Sequence, residues 1–305
     1  MPRHEPIAII GAGLGGLTLA RVLHTAGVPA AVYDRDASPR ARPQGCVIDL
    51  HEDTGQAALR AAGLHTRFRA RARTGTPAVR ILDKNAVVCR EDGAAEDTVR
   101  AALERGRLRD LLLDSLPRDT VRWGARVAGA RALGEGRHEV RLADGSVFTT
   151  GLLVGADGAR SGVRPLLSRV RPRYTGMTLV ETDLYEAEAR HPECAALVGD
   201  GLFYALGEGQ GLLAHPRPDG GLHLYVALTV PEDWSAGIDT ARGDAVAAAV
   251  LEHFRGWDPA LRPQTVDRSA RRDAGPQRPP RRAARPRRDR ALPTAQLAAH
   301  APGGQ

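Results

Sequence analysis

A glycine-rich turn between a short apolar run and an amphipathic segment restricts the fold of this chain more than any other sequence feature. The apolar run 7–10 predicts a buried strand, and residues 11–16 follow it in the order G-x-G-x-x-G. Apolar residues then recur at helical spacing until Gly27, and the run 30–33 predicts a second buried strand. A helix that joins two such strands predicts a parallel pair and an α/β fold.

The spacing of the glycines is typical of a dinucleotide site. Gly11 permits the tight turn, Gly13 lets the backbone approach a pyrophosphate, and Gly16 lets the helix pack closely on the strand. The N-terminus of the helix then faces the negative phosphates. A chance glycine turn is the alternative. The predicted cofactor contacts in this loop are Gly11, Gly13, Leu14, Gly15 and Gly16.

An acidic residue follows the second predicted strand. Asp34 lies 18 residues after Gly16, near the spacing of about 20 expected for the carboxylate that binds ribose hydroxyls, and Arg35 is next to it. An acidic residue suits an adenosine ribose that lacks a 2′-phosphate. We therefore predict that the bound cofactor is FAD or NAD and not NADP.

A second motif distinguishes these two cofactors. A buried strand over 152–154 runs into residues 155–158, whose sequence is Gly-Ala-Asp-Gly. With the glycine-rich turn upstream, this motif resembles the flavoprotein aromatic hydroxylases, which are single-component FAD monooxygenases of the para-hydroxybenzoate hydroxylase type. The resemblance implies that Asp157 serves the cofactor region and the transient nicotinamide donor. The alternative is that Asp157 caps the next helix.

Further stretches are similar to the tetracycline-inactivating flavin monooxygenases of the TetX type. They lie at 32–36, 48–51, 108–116 and 254–258, and the similarity runs over residues 7–258. This resemblance implies an antibiotic-modifying or related oxidoreductase activity. Departures from the tetracycline enzymes in the predicted substrate domain argue against tetracycline itself as the substrate.

The TetX-type resemblance also implies roles for three charged residues. Arg42 and Asp49 would line the flavin and nicotinamide side of the site, and Arg109 would approach the isoalloxazine ring. An arginine over a flavin stabilises negative charge on the reduced ring. The alternatives are a surface position for Arg42 and Arg109 and the polar face of a strand for Asp49.

The family implies an α/β fold with a Rossmann-like FAD/NAD(P)-binding domain and an inserted antiparallel β-sheet substrate domain. We expect the FAD-binding domain at 1–72 and 98–171 and the substrate domain at 73–97 and 172–267. The implied function is an FAD-dependent monooxygenase, a hydroxylase in which NAD(P)H reduces FAD and O₂ forms a flavin C4a-hydroperoxide. This species would hydroxylate an aromatic or enol-bearing, polyketide-like small molecule, and no protein residue is predicted to be catalytic.

Two other functions compete with this one. One is an NAD-dependent dehydrogenase, which would carry a general acid such as Tyr-x-x-x-Lys or a His dyad, and the first of these options is excluded because Lys84 is the only lysine. The other is a truncated, inactive or uncoupled FAD-binding remnant, since no segment after residue 258 matches the family's Gly-Asp-Ala-Ala-His segment.

The net charge of +7 does not indicate a nucleic-acid partner. Residues 268–305 hold ten Arg and two Asp, a sum of +8, so the rest of the chain carries −1. This Arg/Pro-rich tail has few apolar residues and is predicted to be disordered, with a composition that also fits a frameshift near residue 265. Three cysteines that lie far apart, without metal-ligand spacing, predict free thiols in the cytoplasm and no metal site. No apolar run reaches the length of about 20 residues that spans a membrane, so no membrane partner is expected, and we expect a monomer.

Overall fold

The computed structural model describes residues 3–41, 47–95 and 101–262 and the strand 296–298. The chain divides into two compact units, which are described separately below. Unit 1 comprises Met1–Gly75 and Glu96–Pro172, and unit 2 comprises Thr76–Ala95 and Arg173–Gln305. The bounds between the units lie within a few residues of the predicted domain bounds. The role of each domain stays a prediction. Among the described residues, no helix has the length and apolarity needed to cross a membrane.

Unit 1 contains a six-stranded sheet, a small three-stranded sheet and short helices. Strands and helices are numbered along the chain. The strands of unit 1 are β1 (Arg3–Ile10), β2 (Ala31–Tyr33), β3 (Val47–Leu50), β4 (Arg73–Thr74), β7 (Ala101–Glu104), β8 (Val121–Arg122), β9 (Val127–Gly134), β10 (Arg137–Leu142) and β11 (Val147–Gly155). Its helices are α1 (Leu14–Thr25), α2 (Gly55–Ala61), α3 (His65–Arg69), α4 (Arg105–Leu113) and the 3₁₀ turn Arg164–Leu166.

The larger sheet of unit 1 has the order β8-β2-β1-β11-β10-β9. Strand β1 pairs in parallel with β2 and with β11, which confirms the predicted strand–helix–strand unit. Strands β10 and β11 form the predicted antiparallel hairpin, and Gly145 in its turn has φ +86°. Strands β3, β7 and β4 form the smaller sheet.

Alternation along β1 supplies both faces of the sheet with apolar side chains. Ile9 packs on one face with Leu17 of α1 and with Leu112 of α4, and all three side chains are fully buried. The opposite face contains Tyr33, which stacks on Phe148 at a centroid distance of 4.3 Å. Both faces are therefore covered, as expected for a parallel sheet.

Unit 2 is built on a seven-stranded sheet. Its strands are β5 (Val79–Asp83), β6 (Val88–Asp92), β12 (Met177–Leu184), β13 (Leu202–Leu206), β14 (Gln210–Pro216), β15 (Leu222–Thr229) and β16 (Gln296–Ala298). They lie in the order β16-β12-β15-β14-β13-β5-β6. The pairs are antiparallel except for β13 with β5, so the predicted antiparallel sheet is confirmed. The helices are α5 (Ala187–Arg190), α6 (Pro192–Val198), α7 (Gly243–His253) and the 3₁₀ turn Trp234–Gly237.

Only one face of this sheet belongs to the apolar core of unit 2. Val180, Phe203 and Val226 lie in the core with Val250 of α7 and Phe254. Because side chains alternate along each strand, the neighbours of these residues in the sequence point to the opposite face. On β12, that opposite face carries the apolar Leu179 together with the charged Glu181 and Asp183.

The predicted disordered tail at 268–305 lies outside the described residues except for β16. Strand β16 pairs antiparallel with residues Leu179–Glu181 of β12. The three residues of β16 are therefore in a strand, whereas the sequence predicted no secondary structure anywhere in the tail. Without β16, β12 would be an edge strand, and an edge strand offers unpaired N–H and C=O groups to any extended segment.

Candidate functional site

Two glycines hold the turn after β1 against the end of β11. Gly11 has φ +108°, and a Cβ atom at this position would lie 2.3 Å from the carbonyl oxygen of Ala156. A Cβ atom at Gly16 would lie 2.0 Å from the carbonyl oxygen of Gly11. Both positions therefore require glycine, and the glycine-rich turn and the Gly-Ala-Asp-Gly motif are in direct contact.

The other glycines of the turn border open space. No described atom lies within 4 Å of a Cβ atom built on Gly13 or on Gly15. Gly13 is the N-cap residue of α1, no described side chain caps this end, and the first turn has no acidic residue. The N–H groups of a first helical turn have no partner within the helix and carry partial positive charge. This combination suits an anionic group such as a pyrophosphate.

Asp34 organises the glycine-rich turn. The residue is 8% exposed, its Oδ2 accepts a hydrogen bond from the N–H of Ala12 at 2.6 Å, and its Oδ1 accepts one from the N–H of Asp36 at 2.8 Å. Each carboxylate oxygen has a second acceptor site. Asp34 therefore holds the loop and keeps acceptor capacity for the predicted ribose hydroxyls.

Arg109 is buried, and this excludes the alternative prediction that its side chain lies on the surface. Its side chain is on α4, Nε donates to the carbonyl of Ala12 at 3.1 Å, and Nη1 donates to the carbonyl of Pro39 at 2.6 Å. The guanidinium also lies over the ring of Trp123, 5.3 Å from its centroid. Arg109 thus ties the glycine-rich turn to the loop after Asp34, and its approach to an isoalloxazine ring stays a prediction.

Asp157 has one satisfied and one unsatisfied carboxylate oxygen. Oδ2 accepts a hydrogen bond from the N–H of Gly162 at 2.7 Å, whereas Oδ1 is buried without a hydrogen-bond partner among the described residues. The N–H of Arg164, the first residue of the 3₁₀ turn that follows, donates to Oγ of Ser161 at 3.0 Å and not to Asp157, so this part of the structure does not support the helix-cap alternative. Asp157 also borders a cleft of about 280 Å³, together with Ser161 and Arg164.

The structure does not gather all predicted site residues around the turn. Leu14 packs partly buried against the core of unit 1, and Arg35 is exposed after β2. Asp49 is exposed on β3, as the polar-face alternative predicts. Arg42 lies outside the described residues, as does Cys46. The described residues contain no group of three His, Cys, Asp or Glu that could hold a metal ion.

Unit 2 contains a buried charged cluster that was missing from the predictions. His223 on β15 is almost fully buried, and its Nδ1 lies 2.7 Å from Oδ1 of Asp183 on β12. Its Nε2 lies 3.2 Å from Oε1 of Glu181. Burial lowers the pKa of His223, but the contacts with Asp183 and Glu181 outweigh it and raise the pKa to about 9.

Arg217 extends this cluster. Its guanidinium contacts Oδ1 of Asp183 at 2.7 Å and Oδ2 of Asp219 at 2.9 Å. Burial opposes ionisation of Asp183, yet the hydrogen bonds from His223 and Arg217 hold its pKa below the usual range. Burial lowers the pKa of His215, whose ring centroid lies 5.2 Å from that of His223. The alternation of β12 and β15 was the available sequence signal, because it places these polar residues on one face.

A comparison with known protein families supports the cofactor site predicted at the glycine-rich turn and Asp34. A family model described as an FAD binding domain matches residues 4–256. The chain belongs to this FAD-binding family. The family confirms the predicted Rossmann-like FAD domain with a substrate-domain sheet.

The names of curated relatives of this chain describe monooxygenases. The chain is 30% identical over 268 residues to the aurachin C monooxygenase/isomerase of Stigmatella aurantiaca, with 86% of this chain and 65% of the relative covered. It is 34% identical over 272 residues to the 3-amino-4-hydroxybenzoate 2-monooxygenase PtnB3 of Streptomyces platensis, with 84% and 64% covered. Across three relatives the chain spans between 50% and 65% of their length.

Solved structures share the fold. The Klebsiella pneumoniae HpxO complexed with FAD and uric acid has a TM-score of 0.65 at 23% identity, with 86% of this chain and 64% of that chain covered. The tetracycline destructase Tet(55) has a TM-score of 0.64 at 15% identity, with 89% and 68% covered. At these identities the likeness establishes the fold alone.

We predict that Arg109→Ala lowers the free energy of unfolding by about 2 to 3 kcal/mol, because two buried carbonyl groups lose a charged hydrogen-bond donor. Urea unfolding followed by tryptophan fluorescence measures this change. The matched control is Arg107→Ala on the same helix, where an exposed salt bridge with Glu104 is lost. The control is expected to cost less than about 1 kcal/mol. Equal losses in the two variants would contradict the buried tie.

We also predict a pH dependence that His223 causes. Because its folded-state pKa of about 9 exceeds the unfolded value, its stabilisation is complete below about pH 6.5 and is lost as the pH rises through 9. Between these pH values, wild-type protein should lose of the order of 2 kcal/mol more unfolding free energy than His223→Gln. The exposed His51→Gln is the control and should follow wild type. Parallel curves for wild type and His223→Gln would refute the assignment.

Proposed function

We propose that unit 1 binds FAD and that the protein is an FAD-dependent monooxygenase. It would use NAD(P)H and O₂ to hydroxylate an aromatic or enol-bearing small molecule. The observation that carries this proposal is the uncapped N-terminus of α1 beside the open space at Gly13, with Asp34 adjacent to it. Membership of the FAD-binding family and the names of the relatives support it.

The residues of unit 1 fit the chemistry of FAD. The first-turn N–H groups of α1 would take the pyrophosphate, and the remaining acceptor sites of Asp34 would take ribose hydroxyls. The buried Oδ1 of Asp157 lacks a hydrogen-bond partner among the described residues and suits a hydroxyl donor of the cofactor. Arg35, Arg42 and Asp49 stay proposed contacts.

The chain's own residues would bind and orient the cofactor. When bound, FAD supplies redox chemistry that takes electrons from NAD(P)H and transfers an oxygen atom from O₂ to the substrate. Arg109 acts as a positioning residue, because it fixes the carbonyl groups of Ala12 and Pro39 on either side of Asp34. No step of this scheme needs a nucleophile from the protein.

The names of the relatives suggest a substrate class, which we propose for this chain. Three curated relatives are named for aurachin C, for 3-amino-4-hydroxybenzoate and for urate. We propose a small electron-rich ring compound for this chain. A cytoplasmic location, a monomeric state and the absence of nucleic-acid and membrane partners also stay proposals.

A pair of glycine variants tests the FAD site. Gly13→Ala adds a methyl group to open space at an ordinary φ of −76°, so its melting temperature should equal that of wild type. Its FAD affinity should fall about tenfold or more, because one charged hydrogen bond to the cofactor is worth about 1.5 to 3 kcal/mol. Gly16→Ala should instead lose about 1 to 3 kcal/mol of stability, because the methyl group meets the carbonyl of Gly11.

Quenching of flavin fluorescence measures the FAD affinity of each variant. Gly93→Ala in unit 2 is the control, since its Cβ atom also meets no described atom. It should leave FAD affinity and melting temperature unchanged. An unchanged FAD affinity in Gly13→Ala would contradict the site.

A second measurement distinguishes oxygen transfer from the alternative of an uncoupled FAD-binding remnant. Purified protein is mixed with NAD(P)H, O₂ and candidate ring compounds, and NAD(P)H consumption is compared with hydroxylated product and H₂O₂. The proposed function predicts that a substrate raises the ratio of product to H₂O₂. If the amount of H₂O₂ formed equals the amount of NAD(P)H consumed with every compound, the result would favour an uncoupled FAD-binding remnant.

A further inference from the structure

Residues 158–172, which lie at the end of unit 1, are called the arginine segment below. The segment contains no Asp or Glu, and its four basic residues are Arg160, Arg164, Arg169 and Arg171. Cations that lie close together without a carboxylate repel one another and create a positive potential at the surface. The arginine segment therefore attracts an anion.

Only one of the four arginines is used inside the segment. Nη1 of Arg164 donates to the carbonyl of Ala159 at 2.6 Å, and Nη2 donates to the carbonyl of Gly158 at 3.3 Å. The other three side chains are exposed and form no ion pair with a residue that the structure describes. A guanidinium group matches the geometry of a phosphate and binds it through two parallel hydrogen bonds. These three arginines are therefore suited to a phosphate.

Apolar side chains alternate with the charges at the end of the segment. Leu167 is 89% exposed and Val170 is 74% exposed, and these are the most exposed large hydrophobic residues of the described chain. Arg169 and Arg171 lie next to Val170 in the sequence, and the hydroxyl of Ser168 accepts a hydrogen bond from the N–H of Val170 at 3.1 Å. A flat ring would cover the apolar side chains, and arginine also stacks on aromatic faces.

The arginine segment borders the cleft next to the Gly-Ala-Asp-Gly motif. Leu167 lines the cleft of about 280 Å³ together with Asp157 and Ser161. Because Arg169 follows Leu167 by two residues, their Cα atoms are at most about 7 Å apart. A ligand that Arg169 holds therefore reaches the cleft that Asp157 lines, and Asp157 belongs to the motif predicted to serve the nicotinamide donor.

Two macromolecular anions fit the segment less well than a small phosphate compound. Proteins that bind single-stranded nucleic acid stack the bases on aromatic side chains, and residues 158–172 contain none. Docking on an anionic membrane surface is typical of an amphipathic helix, whereas the helical part of this segment is the three-residue turn Arg164–Leu166. The segment thus favours a ring compound that carries phosphate.

We propose that Arg169 and Arg171 bind the 2′-phosphate of NADPH and that Leu167 and Val170 contact its adenine ring. This proposal rests on the proposed function, because it selects NADPH over NADH as the reductant of the monooxygenase. An arginine accommodates a 2′-phosphate, whereas a carboxylate such as Asp34 selects a ribose without one. The two dinucleotides therefore occupy different places on unit 1.

Two probes that differ only in the 2′-phosphate test the proposal. Isothermal titration calorimetry compares NADP⁺ with NAD⁺ on protein with FAD added, and neither oxidised dinucleotide can reduce the flavin. NADP⁺ should bind at least about tenfold more tightly, because its phosphate adds charged hydrogen bonds. Equal affinities, a preference for NAD⁺, or no binding of either probe at millimolar concentration would overturn the proposal.

A pair of double variants assigns the preference to the arginine segment. Arg169→Gln with Arg171→Gln should reduce the preference for NADP⁺ below about threefold. Its melting temperature and FAD affinity should equal those of wild type, because both side chains are exposed and lack an ion pair with a described residue. Arg118→Gln with Arg141→Gln makes the same charge change at exposed positions of unit 1 and should keep the wild-type preference. An unchanged preference in the first double variant would overturn the assignment.

Inorganic phosphate distinguishes recognition of the nucleotide from general anion binding. The titration with NADP⁺ is repeated with inorganic phosphate present in equal amount, and the affinity for NADP⁺ should stay unchanged, because phosphate alone lacks the contact of the adenine ring. If inorganic phosphate abolishes the preference for NADP⁺, the segment binds anions in general and the proposal is overturned.

The FAD affinity is measured separately, by quenching of flavin fluorescence, so that this proposal and the proposed function can fail independently. Protein that prefers NADP⁺ but does not bind FAD would retain the phosphate site and lose the monooxygenase assignment. Protein that binds FAD without a preference for NADP⁺ would retain the cofactor site and lose this proposal.

Discussion

The close contact between Gly11 and the carbonyl of Ala156 is the constraint on which the architecture of unit 1 depends. A Cβ atom at Gly11 would lie 2.3 Å from that oxygen, so any other residue would separate the first turn from the end of β11. The same contact places Asp157 immediately beside the turn, and the parallel pairing of β1 with β11 continues up to Ile10 and Gly155. The two sequence motifs therefore meet at one end of the sheet.

The backbone of Ala12 lies between two buried charged side chains. Its N–H donates to Asp34 and its carbonyl accepts from Arg109. Both charged groups bond to backbone rather than to each other, so they fix the path of the loop between β1 and α1. A loop held in this way keeps the N-terminus of α1 and the space beside Gly13 in place before any ligand binds, and this preorganisation lowers the ordering cost of binding.

The local parts of the fold could be predicted from the sequence. The run 7–10, the glycine spacing and the Asp144-Gly145 turn act over a few residues, and the structure has the predicted strand, helix and hairpin there. The buried position of Arg109 could not be predicted from spacing, because its partners Ala12 and Pro39 are 97 and 70 residues away.

Contacts between strands distant in the sequence limited the prediction in unit 2. Asp183 and His223 are 40 residues apart and meet only because β12 and β15 pair in one register. A shift of either strand by one residue would turn its own side chain toward the apolar core and separate the pair. The pairing of β16 with β12 depends on the same kind of non-local contact and was also absent from the predictions.

A crystal structure of the protein with FAD added would show whether the first turn of α1 binds the cofactor. We expect pyrophosphate oxygens within about 3 Å of first-turn N–H groups of α1, in the space beside Gly13. We also expect a ribose hydroxyl at hydrogen-bond distance from Asp34. FAD bound elsewhere on the chain, or a first turn of α1 without contact to the cofactor, would refute the assignment of the site.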